Sequence, residues 1–215
     1  TARREGELQR VCDEIRAEGG VCSYVPADVR VAAEVDNVAA KTIELYGRID
    51  ILVNDAGIAD CHTPTVKLTD EFMEEVIDTD LKGVIRCCRA VLPYMEQAGK
   101  GSIVNIASIG GVYACAGASY SAAKAGVIAL TKNLAIQYFG RGIRANSIAP
   151  GFIGTEKELE GYDEEFLKEE TEKILVKRYG KPEEVAALVN FLISDDASYI
   201  NNSVIRIDGG QIGSF

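Results

Sequence analysis

Four short apolar runs, separated by longer segments of helical periodicity, constrain the fold of this chain more than any other feature. The runs occupy residues 49–53, 102–107, 143–149 and 204–207. Between them, apolar residues recur at helical spacing over 70–97, 118–139 and 182–193. Runs of this kind are typical of strands buried on both faces of a parallel sheet. The sequence therefore predicts an α/β fold of the Rossmann type, a doubly wound parallel sheet covered by helices.

The region before residue 49 continues the same alternation. Apolar spacing predicts a helix that ends at Gly19-Gly20, a short strand over 21–25 and a second helix that ends near Gly47. No internal repeat, linker or low-complexity tract interrupts the pattern. We therefore expect residues 1–215 to form a single domain.

Net charge and composition limit the kinds of molecule that this protein is expected to bind. The net charge of -10 argues against nucleic acid or an anionic membrane surface. No run reaches the apolar length of a membrane span, and no signal peptide pattern opens the chain. The six cysteines show no C-x-x-C spacing, and a single histidine makes a zinc site improbable, so no metal is expected. Reduced thiols in a cytoplasmic protein are the resulting prediction.

Tyr120 and Lys124 form the strongest local signal of chemistry. They lie four positions apart in a predicted helix, so both side chains share one face. An ammonium beside a phenol favours the phenolate and lowers the pKa of the tyrosine, which makes it a usable proton donor and acceptor. Alone, the pair fits a solvated helix face equally well. Its neighbours in the sequence decide between the two interpretations.

Five signals follow the predicted strands in a fixed order. They are Asp28-Val29, Asn54-Asp55-Ala56-Gly57, Ser108, Tyr120-x-x-x-Lys124 and Pro150-Gly151-Phe152-Ile153-Gly154-Thr155. In this order and spacing the chain resembles the short-chain dehydrogenase/reductase family over essentially its whole length. Within that family it is most similar to the β-ketoacyl-[acyl carrier protein] reductases and to sugar or steroid dehydrogenases.

The resemblance implies roles for four residues. Tyr120 would act as the general acid in carbonyl reduction, and Lys124 would lower its pKa and bind the nicotinamide ribose. Ser108 would donate a hydrogen bond to the substrate oxygen. Asp80 stands where the family usually has asparagine; its carboxylate could pair with Lys124. A merely tolerated polar residue in a mid-helix bend is the alternative for Asp80.

The resemblance also implies a nicotinamide dinucleotide as cofactor. The residues expected to contact it, besides Tyr120 and Lys124, are Asp28, Val29, Asn54, Ala56, Gly57, Pro150, Gly151, Ile153 and Thr155. Arg3 stands beside the position where NAD-preferring relatives carry an acidic residue. A guanidinium group suits a 2′-phosphate, so NADP(H) is expected to be preferred, with NAD(H) as the alternative.

One expected feature of the family is absent from the sequence. Relatives open with a strand, a glycine-rich turn, a helix and a second strand, whereas this chain starts where that second strand would have ended. No glycine-rich phosphate cradle occurs anywhere in the sequence. We expect roughly 30–40 further N-terminal residues in the native protein.

The expected function is hydride transfer between a nicotinamide cofactor and a carbonyl or secondary alcohol, with 3-oxoacyl reduction as one candidate. The alternatives are an NAD-dependent sugar or hydroxysteroid dehydrogenase and a non-catalytic dinucleotide-binding regulator. The substrate would be a small molecule or an acyl chain on a carrier. A substrate lid over about 152–178 and a homotetramer are further expectations from the resemblance.

Overall fold

Four parallel strands form the centre of the protein, in a computed structural model that describes residues 1–60, 63–155 and 159–211. They are β1 (Ile51–Asn54), β2 (Gly101–Ile106), β3 (Ile143–Pro150) and β4 (Val204–Ile207). The strands lie side by side in chain order, so each crossover carries the chain to the next position of the sheet. The predicted α/β class and the parallel sheet are confirmed.

Two helices precede the first strand, and the others fill the intervals between the strands. They are α1 (Glu5–Ala17), α2 (Ala32–Tyr46), α3 (Asp70–Ile77), α4 (Val84–Ala98), α5 (Ile109–Tyr113), α6 (Ala118–Tyr138), α7 (Glu164–Glu172) and α8 (Pro182–Ile193). Short 3₁₀ turns occupy Thr65–Lys67, Phe139–Arg141 and Asp195–Ala197. The segment predicted as one long helix over 70–97 is divided by a π-helical turn at Asp78–Gly83, which joins α3 to α4.

Both faces of the central strands are covered. Neighbouring residues of β2 point in opposite directions. Ile103 packs into a cluster that contains Met95 of α4 and Val127 of α6, while Val104 packs with Leu192 of α8. The burial on both sides that the apolar runs predicted is therefore found for β2, and the carboxyl ends of the strands remain at one edge of the sheet.

The prediction of burial on both faces is wrong for β1. This strand is the edge of the four-stranded sheet, and Ile51 and Val53 are 43% and 41% exposed. The predicted strand at 21–25 is also wrong, because that segment has no regular secondary structure. Isolated contacts hold it instead, such as the hydrogen bond from the Tyr24 hydroxyl to Gln9 Oε1 at 2.8 Å. A strand needs a neighbour with which to share a ladder of hydrogen bonds, and no described strand lies beside this segment.

Buried amides fix α6 on the sheet. The Asn54 amide donates to Asn105 Oδ1 at 2.8 Å, and the Asn105 amide donates to the Thr131 hydroxyl on α6, also at 2.8 Å. Thr131 in turn donates to the carbonyl of Val127. Asn105 and Thr131 are almost completely buried, so these bonds have no competition from water. These hydrogen bonds fix the positions of β1, β2 and α6 relative to one another.

Replacing Asn105 with alanine should destabilise the protein. The variant leaves the buried Asn54 amide with only its longer contact to Cys88 Sγ at 3.5 Å and opens a small cavity, so we expect a loss of about 2–3 kcal/mol in the free energy of unfolding. Urea unfolding measures the change. Asn37→Ala, on the exposed face of α2, is the control and should shift the free energy by less than about 0.5 kcal/mol. Equal losses for the two variants would contradict the role given to the network.

Candidate active site

A buried ion pair lies at the carboxyl ends of β1 and β2. Lys124, on the second turn of α6, has its ammonium nitrogen 3.3 Å from Asp80 Oδ2. The same ammonium donates to the carbonyl of Ile106, the last residue of β2, at 3.0 Å. Lys124 is 4% exposed and Asp80 is fully buried. The pairing that the sequence raised as one possibility for Asp80 is present in the structure.

The π-helical turn and the loop after β1 hold the Asp80 carboxylate in place. Asp80 Oδ1 accepts a hydrogen bond from the backbone N–H of Ile58 at 2.8 Å. A β-carbon at Gly57 would lie 2.8 Å from Asp80 Oδ2, so only glycine lets the loop come this close. Burial raises the pKa of the Asp80 carboxyl, while the charge of Lys124 and the Ile58 bond act in the opposite direction.

Tyr120 shares the face of α6 that carries Lys124. The lysine ammonium lies 5.4 Å from the centroid of the tyrosine ring, within the range of a cation–π contact. The helix spacing predicted from the sequence thus brings the phenol and the ammonium together. The ammonium is thus the charged group that lies beside the face of the phenol ring.

Ser108 lies two residues beyond β2, where the chain turns into α5. Its hydroxyl caps that short helix by accepting from Gly110 N at 3.0 Å. Glycines let α5 pack closely on α6: a β-carbon at Gly111 would lie 2.6 Å from the carbonyl carbon of Lys124. Ser108 therefore belongs to the element that packs directly on the turns of α6 that carry Tyr120 and Lys124.

Asp60 is a site residue that the sequence analysis missed. Its Oδ2 accepts from the backbone N–H groups of Ser119 and Tyr120, at 3.0 and 3.3 Å, and from the Ser119 hydroxyl. These N–H groups belong to the first turn of α6, whose cap position is Gly117, a residue with no capping side chain. Asp60 is 3% exposed and caps the helix from a distant loop. The sequence signal that could have revealed this contact is that α6 starts after Gly117, which has no side chain to cap the helix.

Six of the predicted cofactor residues lie around one cleft beside β1. The cleft has a volume of about 980 Å³, and its walls include Arg3, Asp28, Val29, Asn54, Ala56 and Gly57. Residues of α2 and α4 complete the lining. The structure thus gathers residues from three separate stretches of sequence that the family resemblance had assigned to the cofactor. The other predicted cofactor residues are not part of this lining.

Two residues of the cleft have side chains that are already engaged. Asp28 accepts three hydrogen bonds from the guanidinium of Arg30, which lowers the pKa of the Asp28 carboxyl and keeps it ionised. It remains 20% exposed and can still accept a bond from a ligand amine. The Asn54 amide, by contrast, points into the core toward Asn105. A cofactor contact at Asn54 must therefore use its backbone.

The loop over 150–155 follows β3 and is held by backbone bonds. Gly151 N donates to Ile207 O at 3.0 Å. Gly180 bonds both to Phe152 O and to Gly154 N at 2.9 Å, which forms a bridge opposite Ile153. Pro150, Gly151, Ile153 and Thr155 thus lie in a defined turn at the carboxyl edge of the sheet. They are separated along this edge from the β1 cleft by β2.

The residues present fit a nicotinamide dinucleotide at its adenosine and ribose parts. An ionised, partly exposed carboxylate at Asp28 suits an amino group of a base, and the backbone around Gly57 can be approached closely. The ammonium of Lys124 suits ribose hydroxyls. The sequence itself carries no glycine-rich turn for a pyrophosphate.

Comparison with known proteins identifies relatives across the chain. The family model described as enoyl-(acyl carrier protein) reductase matches residues 1–211. The 3-oxoacyl-[acyl-carrier-protein] reductase FabG of Thermotoga maritima is 43% identical over 195 residues, covering 90% of this chain and 78% of the relative. Levodione reductase of Leifsonia aquatica is 42% identical over 197 residues, covering 88% of this chain and 74% of the relative.

Solved structures agree with the sequence comparison. The crystal structure of gox2181 superposes with a TM-score of 0.94 at 34% identity, covering 97% of this chain and 83% of that one. A putative gluconate dehydrogenase from Agrobacterium tumefaciens superposes with a TM-score of 0.92 at 31% identity, covering 99% and 84%. The chain therefore belongs to the short-chain dehydrogenase/reductase family, whose members are oxidoreductases that act on carbonyl or alcohol groups with a nicotinamide cofactor.

Proposed function

We propose that this protein reduces the ketone of an acyl-chain substrate and prefers NADP(H) as its coenzyme. The observation that supports this most is the buried ammonium of Lys124, held by Asp80 and Ile106 and placed beside the ring of Tyr120. Such an arrangement serves proton transfer at an oxygen. The 43% identity to the 3-oxoacyl-[acyl-carrier-protein] reductase of Thermotoga maritima supports the 3-oxoacyl type of substrate.

The roles of the chain's own residues follow from their chemistry. The cofactor, when bound, supplies the hydride. Tyr120 gives its phenolic proton to the carbonyl oxygen, and the positive charge of Lys124 stabilises the phenolate that results. The Ser108 hydroxyl donates a hydrogen bond to the same oxygen and stabilises the charge that develops there. In alcohol oxidation the three residues act in the reverse sense.

Asp80 is given the role of a positioning residue. Its carboxylate fixes the Lys124 ammonium beside the ring of Tyr120, through the ion pair at 3.3 Å. It also ties the loop after β1 to this centre through Ile58. Because the pair is buried, removing either partner would leave an uncompensated charge.

Aromatic side chains beside the loop after β3 support an apolar substrate. Phe152 makes edge-to-face contacts with Tyr162 and Tyr179, at ring-centroid distances of 6.4 and 6.1 Å. Tyr162 stacks on Phe166 of α7 at 4.2 Å. Together these four rings join α7 to the carboxyl end of β3, and an acyl chain could pack on such a surface. We assign residues 152–178 the role of substrate lid.

Preference for NADP(H) rests on Arg3. Arg3 lines the cleft that also contains Asp28 and Gly57. A guanidinium group at this wall can form bidentate hydrogen bonds to a phosphate on the adenosine ribose. Organisation as one domain and a cytoplasmic location stay predictions from the sequence pattern and composition, and assembly as a homotetramer stays a prediction from the family resemblance. No helix among the described residues is long and apolar enough to cross a membrane.

The full-length protein should oxidise NADPH in the presence of a 3-oxoacyl thioester. Steady-state rates are measured with NADPH and NADH on a panel of 3-oxoacyl thioesters, sugars, steroids and small ketones. They give both the preferred substrate and the preferred coenzyme. Activity on sugars or steroids with NAD(H) alone would replace this proposal by the corresponding dehydrogenase. Coenzyme binding without turnover on any substrate would indicate a regulator.

Tyr120→Phe is the matched control, since it removes only the proton donor and should lower kcat by about 10²-fold or more while the coenzyme still binds.

Replacing Asp80 with asparagine should change the pH dependence of the reaction. Burial raises the pKa of Asp80, so its carboxylate takes up a proton at a higher pH than an exposed aspartate, and protonation removes the ion pair with Lys124. Asparagine does not titrate. The fall of kcat/KM toward acid should therefore begin at a higher pH in the parent than in Asp80→Asn.

The control for this test is Asp78→Asn. Asp78 lies in the same π-helical turn, but its carboxylate pairs with Arg86 at 2.8 Å instead of Lys124. This variant should keep the acid limb of the parent. Superimposable pH profiles for the parent and Asp80→Asn would remove any special role for the carboxylate.

Replacing Asp60 with alanine should lower kcat more than it changes KM for the coenzyme. The variant leaves the first N–H groups of α6 without an acceptor, and the turn that carries Tyr120 loses its anchor. We expect a decrease in kcat of about 10-fold, because small misplacements of a reacting group are costly. Asp60→Asn keeps an acceptor oxygen and should recover part of the rate.

Thr69→Ala provides the comparison for Asp60→Ala. Thr69 caps α3 by accepting from Phe72 N, so its loss removes a helix cap that does not contact the turn of Tyr120. Both variants should cost about 1 kcal/mol of stability. Equal effects on kcat from the two would mean that Asp60 has only a structural role.

A further inference from the structure

Two cysteines near the start of the chain lie almost within bonding distance. Cys12 Sγ on α1 and Cys22 Sγ in the following segment are 2.7 Å apart. Both are free thiols. A covalent disulfide bond measures about 2.0 Å, so a small movement would join the two sulfurs. Neither residue belongs to the site described above.

The local backbone is arranged to keep these sulfurs together. After α1 the chain reverses at Gly19, which has a φ of +85°, and Gly20 N donates to Ile15 O at 2.9 Å. The returning segment is then fastened to the helix by Arg16, whose guanidinium donates twice to the carbonyl of Cys22, at 3.0 and 2.7 Å. The turn at Gly19 and the two hydrogen bonds from Arg16 therefore bring the thiols into contact.

We propose that Cys12 and Cys22 form a thiol modification site, which closes reversibly into an intramolecular disulfide when the protein meets a peroxide or a small-molecule disulfide. Cys22 is half-buried and meets the oxidant first, whereas Cys12 is only 2% exposed. The hydrogen bond from the other thiol, and then burial, raise the pKa of Cys12. Cys12 is assigned the second step because its sulfur already lies beside the Cys22 sulfur, so it needs no access to solvent.

The chemistry balances with hydrogen peroxide as the oxidant. The Cys22 thiolate attacks one peroxide oxygen, the O–O bond breaks, and a sulfenic acid and hydroxide result. The Cys12 sulfur then attacks the Cys22 sulfur, the S–O bond breaks, and the departing hydroxide takes the proton of the Cys12 thiol to leave as water. The hydroxide of the first step takes up the proton that the Cys22 thiol released when it ionised. Two thiols are thus oxidised by two electrons, and one peroxide is reduced to two waters.

The remaining described cysteines are poorer candidates. Burial raises the pKa of Cys88 to about 12 and also raises the pKa of Cys87. Cys115 is half-buried, and burial raises its pKa as well. Thiols of this kind contain little thiolate near neutral pH and react slowly with oxidants.

The disulfide would stabilise the least regular part of the fold. Residues 20–28 have no ladder hydrogen bonds, and the contacts that hold them are scattered. A disulfide from α1 to Cys22 would oppose local opening of this segment. It would also reduce the number of conformations open to the unfolded chain. The expected result is a higher melting temperature in the oxidised protein.

Mass spectrometry of the full-length protein tests the proposal directly. Reduced protein is treated with hydrogen peroxide or oxidised glutathione, remaining thiols are alkylated, and the protein is digested with trypsin. Cleavage after Arg10, Arg16 and Arg30 places Cys12 in the peptide 11–16 and Cys22 in the peptide 17–30. We expect these two peptides to be linked, at about 2 Da below the sum of their masses, and to separate on reduction.

Single variants complete the test. Cys12→Ser and Cys22→Ser should each lose the linked peptide, whereas Cys115→Ser should keep it. The parent should show a rise in melting temperature of about 5 °C on oxidation that dithiothreitol reverses, and the two pair variants should not. Protein that stays fully reduced under both oxidants, or that links a different pair of cysteines, would overturn the proposal.

Discussion

The ion pair between Asp80 and Lys124 is the interaction on which the arrangement of the site depends. It joins the π-helical turn to α6, and the Ile106 carbonyl and the Ile58 amide attach it to the ends of β2 and β1. A buried charge is stable only when it is paired and hydrogen-bonded. The requirement to satisfy both charges therefore determines where four separate segments meet.

This requirement explains the small residues and the irregular helix around the pair. Gly57 leaves room for the Asp80 carboxylate, and Gly111 lets α5 approach the backbone of Lys124. The π-helical turn interrupts the regular path between α3 and α4 where Asp80 must face inward. Local conformations that are unfavourable by themselves are retained because they allow the charges to meet.

Much of the sheet could be predicted from the sequence, since apolar runs and helical periodicity are local properties. Strand β4 and helix α8 have the bounds that their patterns indicated, and Tyr120 and Lys124 share one face as their spacing requires. The predictions of a strand at 21–25 and of burial on both faces of β1 were wrong. Strand pairing and burial depend on which other segments lie beside a strand, and the local sequence does not contain that information. The cap from Asp60 was missed for the same reason, because it joins residues about 60 positions apart in sequence.

The loop after β1 takes part in two attachments at once. Its Ile58 amide holds Asp80, and its Asp60 carboxylate holds the first turn of α6. The same loop forms part of the wall of the cleft at Ala56 and Gly57. The wall of the cleft is thus linked to the Tyr120 helix by a path that bypasses the sheet, through the hydrogen bonds that Asp60 accepts from Ser119 and Tyr120 and through the Asp80–Lys124 ion pair. Occupation of the cleft and alignment of the phenol would then be coupled events, with each favouring the other.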